Sequence, residues 1–306
     1  MRFEKWQALG NDYILIERDA LPFPLTPERA HAICDAHFGC ASDGILLLSK
    51  PTDPDAHVAE LRIFNPDGSE AELSGNGARE AIMYLRHSGW TDRDEFTILT
   101  AAGEITPEIT GPDSARVAMA PAQTSSDDFP SGSEDGRGVI DVGGVEREFQ
   151  HVSVGNPQCA IEIDEGLEEL DLPAIGPAIE SSPLFPNRSN VSFWRVEPSP
   201  VDSTQGSTIR ARIFERGVGE TLSSGTGATG AAVAAHLRGA PSPITVVLDG
   251  GELLVEIGPN LEIWLTGTAE RVFSGQFSPE MMRRLAALEQ APVPSPEAPS
   301  VTEYPL

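Results

Sequence analysis

The chain has 306 residues, 40% of them hydrophobic, and a formal net charge of −26. That length accommodates two domains with cores of their own, and so acidic a surface repels nucleic acid and anionic membranes, which argues against both as partners. No apolar run approaches the roughly 18 residues of a membrane span, and the opening Met-Arg-Phe-Glu-Lys-Trp lacks the apolar core of a signal peptide, so a cytoplasmic protein is expected.

Residues 2–17 alternate as a strand broken at Gly10-Asn11-Asp12, where glycine and asparagine suit a turn. Thr26 as N-cap, Pro27 at the first position and Glu28 in the first turn predict a helix over 27–37. A loop over 38–44 leads into a strand at 45–49, and a further strand is expected at 58–64. A helix follows Ser74, running to about Arg86 and ending near Gly89, with strands at 95–100, 103–109 and 114–119. The small, polar and acidic stretch 121–138 reads as a mobile loop between halves. Strands at 146–154, 159–163 and 190–196 flank a helix at 170–181. A loop at 197–207 and a strand at 208–214 lead to a second long helix, which starts after Ser224 and ends near Gly239. Strands at 244–248, 252–257, 261–266 and 269–274, a short helix at 279–288 and a Pro-rich, disordered tail complete the chain. Many short strands with one long helix per half give an α+β fold. The cysteines, Cys34, Cys40 and Cys159, have no metal-ligand spacing and read as buried thiols in reducing surroundings. Lys5 and Lys50 are the only lysines. A surface suited to a salty cytoplasm and a compositional bias of the lineage would both account for the acidity.

The chain repeats itself. Arg62-Ile-Phe-Asn-Pro-Asp-Gly-Ser-Glu-Ala-Glu-Leu-Ser-Gly-Asn-Gly-Ala78 returns as Arg212-Ile-Phe-Glu-Arg-Gly-Val-Gly-Glu-Thr-Leu-Ser-Ser-Gly-Thr-Gly-Ala228, at a constant offset of 150 residues. Gly10-Asn11 has its own echo in Gly155-Asn156. Ser74 and Ser224 each stand at an N-cap, where the first helical N–H groups have no intrahelical partner. Gly75, Gly77, Gly225 and Gly227 let other atoms approach that backbone. With the macrodipole, each start becomes an anion site. No lysine follows the glycines, so this is not a phosphate-binding P-loop. One Ser-Gly-x-Gly alone would read as a cap with tight packing. Two copies related by a pseudo-twofold axis can hold one carboxylate between them, with Ser74 on one face of its carbon and Ser224 on the other. That is the geometry for removing a proton from one side and replacing it on the other.

At these residues the sequence resembles the diaminopimelate epimerase family of cofactor-independent, proline-racemase-like epimerases. The resemblance rests on Leu9-Gly-Asn-Asp-Tyr13, Ser42-Asp-Gly44, Phe64-Asn-Pro-Asp-Gly-Ser69, Ser74-Gly-Asn-Gly-Ala-Arg79, Gly155-Asn-Pro157, Asn190-Val191, Glu215-Arg216, Gly219-Glu-Thr221 and Ser224-Gly-Thr-Gly-Ala228. It implies two pseudo-symmetric domains, each a mostly antiparallel, β-barrel-like sheet around a central helix. The expected bounds are 1–120 for the first half with 268–289 packing back on it, 121–145 for a crossover, 146–267 for the second half and 290–306 for the tail. It also implies a homodimer that uses no metal, pyridoxal phosphate or nucleotide. Ser74 and Ser224 stand where the family has its catalytic cysteines. Asn65, Asn156, Asn190, Glu215 and Arg216 match the residues that hold the substrate's distal amino-acid end. Gly75, Asn76, Gly225 and Thr226 match the cradle of the reacting carboxylate, and Asn11 a further substrate contact. Gln158 stands in place of a family histidine, and Gly44 in place of a glutamine. A serine hydroxyl lies several pKa units above a thiol, at about 1.4 kcal/mol per unit, so a serine base needs a neighbour to take its proton. Asp67, Glu70, Glu72, Glu215 and Glu220 are the carboxylates at hand. The activity implied is epimerisation of LL- to meso-diaminopimelate. A racemase, epimerase or dehydratase for another amino acid, or a binding protein that has lost catalysis, are the alternatives.

Overall fold

The computed structural model describes residues 1–72, 74–198 and 206–288. The tail expected at 290–306 lies outside these residues, as does most of the loop expected at 197–207. The first half of the chain gives β1 (Arg2–Ala8), β2 (Asn11–Glu17), α1 (Pro27–Cys34), β3 (Ile45–Ser49), β4 (Ala59–Phe64), β5 (Glu70–Ala71) and α2 (Gly75–His87). Four short strands follow: β6 (Ile98–Thr100), β7 (Gly103–Ile105), β8 (Glu108–Gly111) and β9 (Ser114–Met119). The second half gives β10 (Arg137–Val142), β11 (Val145–Ser153), β12 (Pro157–Glu162), α3 (Leu172–Glu180), β13 (Asn190–Val196), β14 (Ser207–Glu215), β15 (Gly219–Thr221) and α4 (Gly225–Leu237). It closes with β16 (Ile244–Leu248), β17 (Gly251–Ile257), β18 (Ile263–Thr268), β19 (Glu270–Gln276) and α5 (Pro279–Ala287).

Two open sheets carry the fold. The first runs β19-β1-β2-β3-β4-β6-β7, with β5 paired to β4. The second runs β10-β11-β12-β13-β14-β16-β17-β18-β9-β8, with β15 paired to β14. Both copies use one pairing scheme: β2 with β3 and β12 with β13 are parallel, β3 with β4 and β13 with β14 antiparallel, and β4 with β6 and β14 with β16 parallel. The sequence repeat is therefore a repeat of architecture, and each sheet curves around a helix without closing into a barrel.

Strand periodicity explains the layers. In Ile45-Leu46-Leu47-Leu48, Leu46 and Leu48 pack with Ile82 and Leu85 of α2, while Ile45 and Leu47 pack with Ile33 of α1 and Leu285 of α5. A strand buried on both faces reads as a continuous apolar run rather than an alternating one. The second sheet repeats this: Ile213 and Val246 pack on α4, while Phe193 and Phe214 pack with Leu172 and Ile179 of α3. Each such fully buried side chain contributes about 1.5–3 kcal/mol.

Four expectations change. The first helix stops at Cys34 instead of residue 37, because Asp35 leaves the helical region and its carboxylate accepts from the His37 and Phe38 N–H groups at 2.8 and 2.6 Å. The strand expected over 103–109 is two strands separated at Thr106-Pro107, since proline cannot donate to a ladder. The crossover expected over 121–145 holds a strand, β10, joined to β11 by a turn at Gly143 and Gly144, both at positive φ. Phe129 within that stretch is buried against Phe149 and Phe185, and Asn187 donates to Asp128 at 3.0 Å, so it packs rather than merely links. Lastly, β8 and β9, expected with the first half, belong to the second sheet, where β9 pairs with β18. Ala115 and Val117 of β9 still pack in the cluster around α2. β19 returns to pair with β1 in the first sheet.

Candidate active site

The repeated motif forms the same object twice. Ser74 (φ −127°, ψ 124°) and Ser224 (φ −146°, ψ 122°) hold the extended conformation of an N-cap, and each Oγ accepts from the N–H three residues on, Gly77 at 3.1 Å and Gly227 at 3.2 Å. A side chain at Gly77 would lie 2.9 Å from Leu46, and one at Gly227 2.8 Å from Ile213, so both positions need glycine for packing. The two helix starts abut. A Cβ on Gly225 would be 4.0 Å from the Gly75 Cα, which brings the positive ends of α2 and α4 together.

Polar groups bind the halves at this point. Asn76 Nδ2 donates to Ser223 Oγ at 3.2 Å, and Ser223 Oγ donates to the Ala8 carbonyl at 3.5 Å. Arg79, 1% exposed, donates to the Gly75 carbonyl at 3.0 Å and to Asn76 Oδ1 at 2.5 Å. Burial lowers its pKa to about 10, which leaves it charged near neutrality. Glu80 beside it is fully buried, and neither of its oxygens makes a hydrogen bond of normal geometry. Desolvation raises this carboxyl well above the ordinary range, and the nearby Arg79 guanidinium opposes that.

The serines differ in their neighbours. Ser74 Oγ accepts from the Tyr13 hydroxyl at 3.2 Å. The Tyr13 ring is wedged where side chains on Gly44 and Gly77 would stand, 2.6 and 3.4 Å from such a Cβ. Gly44 therefore has no room for the larger residue that the resemblance placed there. Burial pushes the Tyr13 phenol up to about 12, against the hydrogen bond to Ser74, which lowers it. Ser224 instead lies near the carboxylate of Glu215, which accepts from Thr221 Oγ1 at 2.9 Å. Burial raises the Glu215 pKa, and these two hydroxyls partly offset that.

The other carboxylates at hand are engaged elsewhere or exposed. Glu70 accepts two bonds from Arg62 at 2.7 Å, and Glu220 is held by Arg212 at 3.0 and 2.6 Å, the same pair in each copy. Asp67 caps its own turn through Ser69 N and Oγ, and Glu72 is exposed.

The predicted binding residues fall into connected and separate sets. Asn156 Nδ2 donates to Thr226 Oγ1 at 3.3 Å, and Gln158 Nε2 to Asn156 Oδ1 at 2.6 Å. Asn190 Oδ1 accepts from the Arg216 backbone at 2.8 Å, and the Arg216 guanidinium donates to the Asn187 carbonyl at 2.8 Å. Asn65 is occupied within its own turn, donating to Ser69 Oγ at 2.9 Å, and Asn11 donates to Asp43 at 2.7 Å. The turn carrying Asn11 nonetheless reaches the second copy: Leu9 packs in the core around α4, and a side chain on Gly10 would be 2.7 Å from Leu222. Sequence reading assigned no role to Tyr13, Arg79, Glu80 or Ser223. The available signal was a charged pair, Arg79-Glu80, inside an otherwise apolar helical face. Among the described residues no group of three or more His, Cys, Asp or Glu is arranged to hold a metal, and no helix is long and apolar enough to cross a membrane.

Comparison with known proteins agrees with this duplicated build. In solved structures the fold is shared with a probable proline racemase from Agrobacterium radiobacter with bound carbonate (TM-score 0.60, 14% identity, covering 92% of this chain and 95% of that one). It is shared also with a hydroxyproline epimerase from Agrobacterium vitis with bound trans-4-hydroxy-L-proline (TM-score 0.59, 16% identity, 92% and 93%). Among curated proteins, diaminopimelate epimerase 2 of a Nostoc species is 39% identical over 288 residues, 92% of this chain and 97% of that protein. Diaminopimelate epimerase of Pelotomaculum thermopropionicum is 37% identical over 289 residues, 90% and 99%. The family model for diaminopimelate epimerase matches twice, over residues 3–125 and 150–272, once on each half of the repeat. With both halves matched and the relatives spanned nearly end to end, this chain belongs to the diaminopimelate epimerase family.

Proposed function

We propose that this protein inverts one α-carbon of diaminopimelate, converting the LL to the meso isomer, with Ser74 and Ser224 as the opposed proton-transfer groups. The observation that carries this reading is the abutting pair of serine-capped helix starts, joined through Asn76 and Ser223 and backed by the buried guanidinium of Arg79. Two helix N-termini and a buried cation suit a carboxylate whose charge grows as the α-proton leaves. In this reading Gly75, Asn76, Gly225 and Thr226 cradle that carboxylate. Asn65, Asn156, Asn190, Glu215 and Arg216 hold the distal amino-acid end, and Asn11 is a further contact. Ser224 takes the α-proton while its own hydroxyl proton passes to Glu215, the acceptor a serine base needs. Ser74 serves the opposite face of the carbon. As the resemblance implies, the protein acts as a cytoplasmic homodimer without metal or organic cofactor, each half supplying one serine.

Incubating LL-diaminopimelate with the protein in D₂O tests this directly. The expected product is the meso isomer carrying α-deuterium. Absence of both meso product and α-deuterium at high protein concentration overturns the reading, and exchange confined to another amino acid reassigns the substrate.

A further inference from the structure

The hydrogen bonds at the two serines are unlike, and the difference sets what each offers to the cleft. Ser74 Oγ accepts twice, from the Tyr13 hydroxyl at 3.2 Å and from the Gly77 N–H at 3.1 Å. With both lone pairs engaged, its remaining valence is its own proton. Ser224 Oγ accepts only from Gly227, at 3.2 Å, which leaves a lone pair free, and the carboxylate of Glu215, held by Thr221 Oγ1 at 2.9 Å, lies nearby. One serine presents a proton and the other presents a base.

We propose that Tyr13 is a positioning residue that makes Ser74 the proton donor of the pair, relaying its phenolic proton to Ser74 as Ser74 protonates the α-carbon. This rests on the reading of the two serines as the proton-transfer groups. The balance is complete within the site. The substrate's α-proton goes to Ser224, whose hydroxyl proton goes to Glu215. The Ser74 proton goes to the α-carbon, and the Tyr13 proton goes to the Ser74 oxygen. The site is left with a protonated Glu215 and a phenolate at Tyr13, and solvent returns a proton from the first to the second. A phenol is the better final holder of the negative charge, since a serine alkoxide lies several pKa units higher. The ring is held for this role beside Gly44, where a Cβ would stand 2.6 Å from it.

The test uses Tyr13→Phe, which keeps the buried ring and deletes only the hydroxyl, with both diaminopimelate epimers supplied separately in D₂O. Epimerisation should fall by about 10²-fold in both directions, with KM changed less than about 3-fold. Deuterium exchange into recovered substrate should survive for one epimer, the one whose α-proton faces Ser224, and be lost for the other. Exchange lost or retained equally for both epimers overturns the role of Tyr13, as does epimerisation at the wild-type rate. A wild-type protein that exchanges neither epimer overturns the underlying reading instead, so the two failures are distinguishable.

Discussion

The two copies of the motif share backbone, helix length, capping and an arginine–glutamate pair, yet differ in the side chains behind each helix start. α4 runs Gly-Thr-Gly-Ala-Thr-Gly-Ala-Ala-Val-Ala-Ala, buried nearly all round and filled by small residues. α2 buries Arg79 and Glu80 where α4 has Thr229 and Gly230. The Cβ that Gly230 lacks would stand 2.7 Å from the Gln158 Cβ, so the space occupied by a carboxyl in one half is taken by a neighbour's side chain in the other. A duplicated scaffold fixes where two helix starts meet. The residues behind each start then decide what chemistry each performs.

The sharpest way to break this comparison is at the acceptor of Ser224. Glu215→Gln keeps the shape and removes the base, and is expected to lower epimerisation by about 10²–10⁴-fold. Because burial raises the Glu215 pKa and its ionised form is the active one, wild-type activity should rise with pH through a value above the ordinary carboxylate range. The rate–pH profiles of the two proteins check both points, and an acid limb in the variant identical to wild type would assign that limb to another group.

Next is Glu80, which has no counterpart in the second half. Its folded-state pKa lies above its unfolded value, so its contribution to stability is fully present below the unfolded pKa and is lost as pH rises through the folded one. Melting temperature in Glu80→Gln should therefore decline less than wild type between acid and neutral pH. Parallel curves would show that folding leaves the Glu80 pKa unshifted.

The smallest contrast lies in the repeated arginines. Arg62 is half exposed, lies over the Phe64 ring at 4.9 Å and pairs with Glu70, where a surface pair contributes about 0–1 kcal/mol. Arg212 pairs with Glu220 and also donates to the carbonyls of Leu167 at 2.9 Å and Leu170 at 2.9 Å. Removing it strands those acceptors, at a cost of about 1–3 kcal/mol. Urea unfolding of Arg212→Ala against Arg62→Ala measures the difference, and equal losses would place the extra carbonyl bonds among those that contribute nothing.

Much of the architecture was legible because strands and caps leave local marks. β3, β13 and β16 fall on their expected residues, as do the capped starts at Thr26, Ser74 and Ser224. The constant offset of 150 residues located the facing helix starts before any distance was known. Sheet membership was not legible for β8 and β9, since pairing with β18 joins residues about 150 apart and leaves no local trace. β11 was expected as the strand at 146–154, but its partner β10 was not, since the burial of the stretch before it depends on Phe129 and its distant partners. At the site, sequence named the serines and a set of carboxylates without choosing among them. Only packing separates Glu215, which lies beside Ser224, from Glu70 and Glu220, which serve arginines. Tyr13 escaped notice for the same reason: its ring lies 61 residues from Ser74 in sequence, and nothing in its immediate context distinguishes it from a core tyrosine.

β9 lends its backbone to one sheet and its side chains Ala115 and Val117 to the core of the other. A chain cut after residue 120 would therefore yield two fragments, neither self-sufficient: the first would trail an unpaired ribbon, and the second would expose the edge of β18. Evolution by duplication has here passed the point of return. The halves began as copies, but each now owns a piece of the other, and any opening that admits substrate must bend around that shared strand rather than part the molecule in two.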